Sequence, residues 1–75
     1  LEIENNPIVI YPNPVKDILN IYGNIELVKI YDGFGKLIIS SRNNSINTEN
    51  LPNGIYLIKI TTNNIVITKK ITIAK

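Results

Sequence analysis

The chain has no cysteine and no histidine, and its aromatic content is four tyrosines and one phenylalanine in 75 residues. Without cysteine there is no disulfide staple, and without either residue the usual zinc ligand sets are gone. The same two absences remove thiol nucleophiles, serine–histidine relays and imidazole acid–base chemistry. Ser40, Ser41 and Ser45 lie in or beside a polar stretch with nothing placed to activate them. Six carboxylates could supply a glycosidase-type pair, but a chain this short has no room for a substrate cleft around one. The residue set reads as that of a non-enzyme that uses no cofactor and no metal.

Long apolar runs are missing too. The longest are a few residues, far short of a membrane span, so no membrane insertion is expected. The opening residues, Leu1-Glu2-Ile3-Glu4-Asn5-Asn6, show no starting Met, basic region or apolar stretch of a signal peptide. The chain therefore reads as a piece of a longer protein, with residues 1–7 a polar, acidic linker and residues 8–75 one domain. A domain of this size buries only about 60% of its unfolded surface and needs a dense core. Isoleucine, the commonest residue, supplies it, and its stiff β-branched side chain suits a pleated sheet better than a helix.

Net charge is +2, unevenly distributed. Residues 1–35 carry Lys16 and Lys29 against Glu2, Glu4, Asp17, Glu26 and Asp32; residues 36–75 carry Lys36, Arg42, Lys59, Lys69, Lys70 and Lys75 against Glu49 alone. Such asymmetry can mark a basic contact surface, but lysines guarding exposed strand edges explain it as well.

Turn signals recur every eight to twelve residues, as in a sandwich or barrel. Pro12-Asn13-Pro14 ends a first strand over residues 8–11, because proline cannot donate to a ladder. Leu19 and Ile21 alternate with polar neighbours in a second strand, and Val28 and Ile30 in a third. Asp32-Gly33-Phe34-Gly35 is a hairpin turn in which both glycines can take positive φ. Leu37 and Ile39 are expected on the inward face of the next strand. Residues 40–50 read as a loop that could hold one short strand around Ile46.

From Gly54 to Thr62, Tyr56, Ile58 and Ile60 share one face while Lys59 and Thr61 share the other. Thr62-Asn63-Asn64 turns the chain back into a last strand where Ile65, Ile67, Ile71 and Ile73 share a parity with Lys69. Either Lys69 snorkels at the rim or a bulge near Lys69-Lys70 shifts the register. No segment has a helical period. The expected fold is an all-β, immunoglobulin-like antiparallel sandwich of about seven short strands with no helix. Leu51-Pro52-Asn53-Gly54-Ile55-Tyr56 resembles a tyrosine corner, in which a Tyr hydroxyl bonds back to the backbone a few residues upstream; the alternative is a Tyr that merely packs.

Other motifs are thin. Asp32-Gly33 lacks the alternating oxygen ligands of a calcium loop. Asn43-Asn44-Ser45 matches a glycosylation acceptor, a pattern that is common in any asparagine-rich chain. Tyr11, Tyr22, Tyr31, Phe34 and Tyr56 are scattered, with no stacking platform for nucleic acid; Tyr22 and Tyr31 could instead line a sugar-binding face.

Four segments come in one order: Ile10-Tyr11-Pro12-Asn13-Pro14-Val15, Ile30-Tyr31-Asp32 followed by Gly35-Lys36, Leu51-Pro52-Asn53-Gly54-Ile55-Tyr56, and Lys69-Lys70-Ile71. Together, over residues 8–75, they resemble the C-terminal sorting domain of the type IX secretion system of Bacteroidetes. The resemblance implies a domain fused behind a secreted cargo that has entered the periplasm. It implies two partners, the outer-membrane translocon that recognises the domain and a sortase-like peptidase that removes it, with cleavage in or before residues 1–7. The product would be secreted or held at the cell surface. The positions that match the family's pattern are Pro12, Asn13, Pro14, Gly54, Tyr56, Lys69 and Lys70.

The residues themselves fit a tag to be recognised. The last strand could be read by backbone pairing to a partner edge, with Lys69 and Lys70 steering, although Ile71 and Ile73 are better explained as core. Pro12-Asn13-Pro14 could equally be a rigid turn, and Gly54 a backbone requirement. The alternatives are a carbohydrate-binding or fibronectin-like accessory module and a spacer or stalk domain.

Overall fold

The computed structural model describes residues 8–75; the proposed linker and cleavage region, residues 1–7, lies outside the described residues. Seven strands follow in order: β1 (Val9–Tyr11), β2 (Ile18–Tyr22), β3 (Leu27–Tyr31), β4 (Leu37–Ser41), β5 (Ser45–Asn47), β6 (Gly54–Thr62) and β7 (Ile65–Ile73). They form two antiparallel sheets, β1-β2-β5 and β4-β3-β6-β7, with no helix among the described residues. The chain changes sheet between β2 and β3, β4 and β5, and β5 and β6, which is the sandwich architecture expected.

Alternation builds the core. Leu19 and Ile21 from β2 and Ile46 from β5 meet Val28, Ile30, Ile58, Ile60, Ile71 and Ile73 from the larger sheet, with Ile8, Val15 and Tyr56 completing the layer. Burying each such side chain contributes about 1.5–3 kcal/mol. The two buried threonines are both satisfied. Thr48 Oγ1 donates to the Asp17 carbonyl at 2.8 Å, and Thr62 Oγ1 to that of Asn24.

Two parts of the sequence reading need correction. Leu37 faces outward, because the β3–β4 register runs Ile30↔Ile39 and then Tyr31↔Leu37. The unpaired Ile38 is a bulge, so Ile38 and Ile39 pack against the core and Leu37 is released to solvent. The polar stretch is also shorter than expected. β4 runs to Ser41 and β5 starts at Ser45, held to β2 by Ile18↔Asn47, Leu19↔Ile46 and Asn20↔Ser45.

The turns set the registers. Asn63 and Asn64, at φ 48° and 66°, form the two-residue loop that joins the nine-residue strands β6 and β7. Residues 33–35 form a three-residue loop closed by the Asp32 N–H donating to the Lys36 carbonyl at 2.9 Å. Of its two glycines only Gly35 adopts positive φ, at +86°. Asp32 Oδ1 accepts from the N–H groups of Phe34 (2.8 Å) and Lys36 (2.9 Å). Those bonds hold the Asp32 carboxyl below its ordinary range, the Lys36 N–H first and the Phe34 N–H second.

Candidate functional site

The β6–β7 register is continuous from Gly54↔Ile73 to Thr62↔Ile65, with no bulge at Lys69. Lys69 therefore stands opposite Ile58 on the core-facing side of an edge strand, half-buried, and the rim position is the one it takes. An inward-pointing lysine there discourages edge-to-edge pairing. Lys70 points the other way, exposed on the outer face.

The proline turn docks on the same strand. Val15 N–H donates to the Thr72 carbonyl at 2.7 Å, Ala74 N–H to the Val15 carbonyl at 2.9 Å, and Thr72 N–H to Asn13 Oδ1 at 3.1 Å. Both Tyr11-Pro12 and Asn13-Pro14 are cis. The C-terminal part of the β7 edge is thus already occupied by residues 13–15, so its end is not open for strand pairing with a partner. Val66, Thr68 and Lys70 carry the outward backbone groups that lack a partner among the described residues.

Asn13, Lys69 and Lys70 come together along an open groove of about 440 Å³ between β1 and β7, with Ile8, Val9, Ile10 and Ile71. Pro12 and Pro14 are exposed beside it. Gly54 and Tyr56 lie elsewhere, at the start of β6. The Tyr56 hydroxyl donates to the Pro52 carbonyl at 2.6 Å, which is the tyrosine corner, and its ring is buried in the core. Gly54 has φ +157°, and a Cβ there would meet the Tyr56 ring only at an ordinary 3.8 Å, so the backbone and not crowding selects glycine. The loop before it is closed by Lys75, whose Nζ donates to the carbonyls of Glu49 and Leu51, both at 2.5 Å.

Tyr22 and Tyr31 belong to different sheets and do not share a face, which removes the sugar platform proposed for that pair. Among the described residues no group of three or more Asp and Glu side chains is placed to hold a metal.

The family model for the secretion system C-terminal sorting domain matches residues 9–74. The chain belongs to that family. No curated protein matches the sequence. The sorting domain is a type IX secretion signal, and a signal of this kind marks the protein that carries it as secreted or cell-surface. Its family is one of sorting signals and not of enzymes. Sequence reasoning reached the family through its motifs but missed the outward patch around Phe34. The available signal was parity, since Ile55 and Leu57 fall on the Lys59 side of β6.

Proposed function

We propose that this sorting domain is read as a folded unit by the outer-membrane translocon, after its cargo has reached the periplasm, and is then removed by a sortase-like peptidase. The cargo precedes residue 8, and cleavage falls in or before residues 1–7. The domain performs no catalysis of its own. The observation that carries the reading is the family match, which spans residues 9–74.

We assign recognition to the groove lined by Asn13, Lys69 and Lys70, with Pro12 and Pro14 flanking Asn13 in the turn beside it. Gly54 and Tyr56 serve it indirectly, because they fix β6, to which β7 is paired. The Lys69 ammonium on the groove side favours an acidic surface and speeds the encounter with it, while the Lys70 side chain is exposed on the outer face.

The test is export of a reporter carrying a Sec signal and residues 1–75 at its C-terminus, in a Bacteroidetes host. Surface or medium reporter that needs both the intact domain and the translocon supports the reading. Reporter retained in the periplasm with the intact domain overturns it. A Lys69→Glu variant should fold and lose export; if it exports normally, the groove is not the recognised surface. Removing residues 71–75 would be uninformative, because Ile71 and Ile73 belong to the core.

A further inference from the structure

The larger sheet carries apolar side chains that its core does not use. The pairings Tyr31↔Leu37, Tyr31↔Leu57 and Leu57↔Lys70 lay one row of side chains across all four strands. The row points outward, since Ile30, Ile58 and Ile71 next to it are buried and strand side chains alternate. Ile55 extends it on β6, and Phe34 stands beside it at the β3–β4 turn. Exposures are 98% for Phe34, 58% for Ile55, 44% for Leu37 and 41% for Leu57. Phe34, Ile55 and Leu57 border an open recess of about 500 Å³ together with Lys70.

Such a patch on the solvent side of a sheet is not demanded by the fold. An antiparallel sheet needs only one covered face, and polar residues would serve on the other. The most exposed member is held at its backbone, because Phe34 N–H donates to Asp32 Oδ1 in a turn closed by Asp32 and Lys36. An aromatic on a fixed backbone has only two side-chain torsions to order on docking, and aromatic anchors carry much of the energy of protein interfaces.

The neighbouring row is cationic. Lys29 pairs with Lys59 across β3 and β6, and Lys59 Nζ lies 5.3 Å from the centre of the Tyr31 ring. Lys70 ends the apolar row, and Lys36 follows the turn. The carboxylate bordering this recess, Asp32, is committed to the N–H groups of its own turn.

We propose that this face docks a protein of the export machinery whose surface offers an apolar recess to Phe34 and carboxylates to Lys59 and Lys70. The proposal rests on the sorting-signal reading and adds a second contact surface to the groove on the β7 edge. Charge selects the occupant. Two copies stacked through this face would set lysine against lysine, which is repulsive. A lipid surface would offer the Lys59 ammonium only mobile headgroup phosphates that fix no register, whereas a placed carboxylate pairs it and fixes the register.

The experiment is the reporter export assay with Phe34→Ser/Leu57→Ser, with Lys36→Glu/Lys59→Glu, and with Tyr22→Ser on the opposite sheet as control. Thermal melting of each fusion reports folding. The proposal expects export to fall by about tenfold or more in the first variant, the loss typical of removing an interface anchor. It expects a salt-sensitive loss in the second, no change in the third, and melting preserved in all three. Normal export of the first variant overturns the proposal while leaving the sorting reading standing. Failure of the unaltered domain to export overturns both. Phe34-dependent dimerisation in sedimentation, or Phe34-dependent flotation with anionic phosphatidylglycerol vesicles, in a variant that still exports, reassigns the face to a second copy or to lipid and overturns the proposal.

Discussion

Asn13 and Thr72 are 59 residues apart in sequence, yet the amide oxygen of one accepts the backbone N–H of the other at 3.1 Å. That bond ties the proline turn to the edge of the last strand. Asn13→Ala should cost about 0.5–1.5 kcal/mol, the usual net worth of such a bond. In a domain of this size, 1 kcal/mol lowers the melting temperature by roughly 4–8 °C. A calorimetric scan checks it, and an unchanged melting temperature would mean that the proline turn holds its place without the amide.

Tyr56→Phe removes only the hydroxyl that donates to the Pro52 carbonyl. The expected loss is about 1 kcal/mol in urea unfolding. Tyr56→Ala also empties a core position and should cost about 3–5 kcal/mol. Tyr22→Ala, at a position 68% exposed, should change the midpoint little.

Asp32 has its carboxyl lowered from the ordinary 3.8 by the turn N–H groups. A depressed carboxyl stabilises the fold above its unfolded pKa, and that contribution is lost as pH falls through the folded pKa. Asp32→Asn keeps an acceptor but removes the charge. The variant should therefore be less stable than the unaltered chain near neutral pH, and the two should converge in acid below the folded pKa. Parallel stability curves across that range would show that the charge contributes nothing.

Lys69 faces the buried Ile58 across the β6–β7 pair. Lys69→Ile should raise the unfolding free energy measured in urea by about 1 kcal/mol through added apolar burial. It should also bring concentration-dependent association, because the edge strand loses its inward charge. Sedimentation velocity at two concentrations measures the second effect; a purely monomeric variant would assign Lys69 no guarding role.

Much of this architecture was legible because polar and apolar residues alternate cleanly in β2, β3 and β6. The Asp32–Lys36 turn and the tyrosine corner were legible for a different reason: a loop needs a residue at positive φ, and a buried hydroxyl needs an acceptor. Leu37-Ile38-Ile39 defeated the same reasoning. Three consecutive apolar residues carry no parity, so the bulge that turns Leu37 outward leaves no mark in the pattern. β5 was underread because three residues with one buried side chain are too few to show a period. At Lys69, parity left two readings, and only the pairing to β6 separates them. The groove was legible as a set of matching motif positions but not as a place, since Asn13 meets β7 through contacts far apart in sequence.

The docking of Val15 against Ile73 also sets the order in which the molecule can be finished. A pairing between residues this distant cannot form until every residue through Ile73 has been made, and contacts of that kind close late and slowly. A truncated or stalled chain cannot assemble the wall that joins the proline turn to β7, so the groove exists only on a molecule that is complete through Ile73. Presence of the groove is then itself a report that residues 13–73 have all been made and folded together.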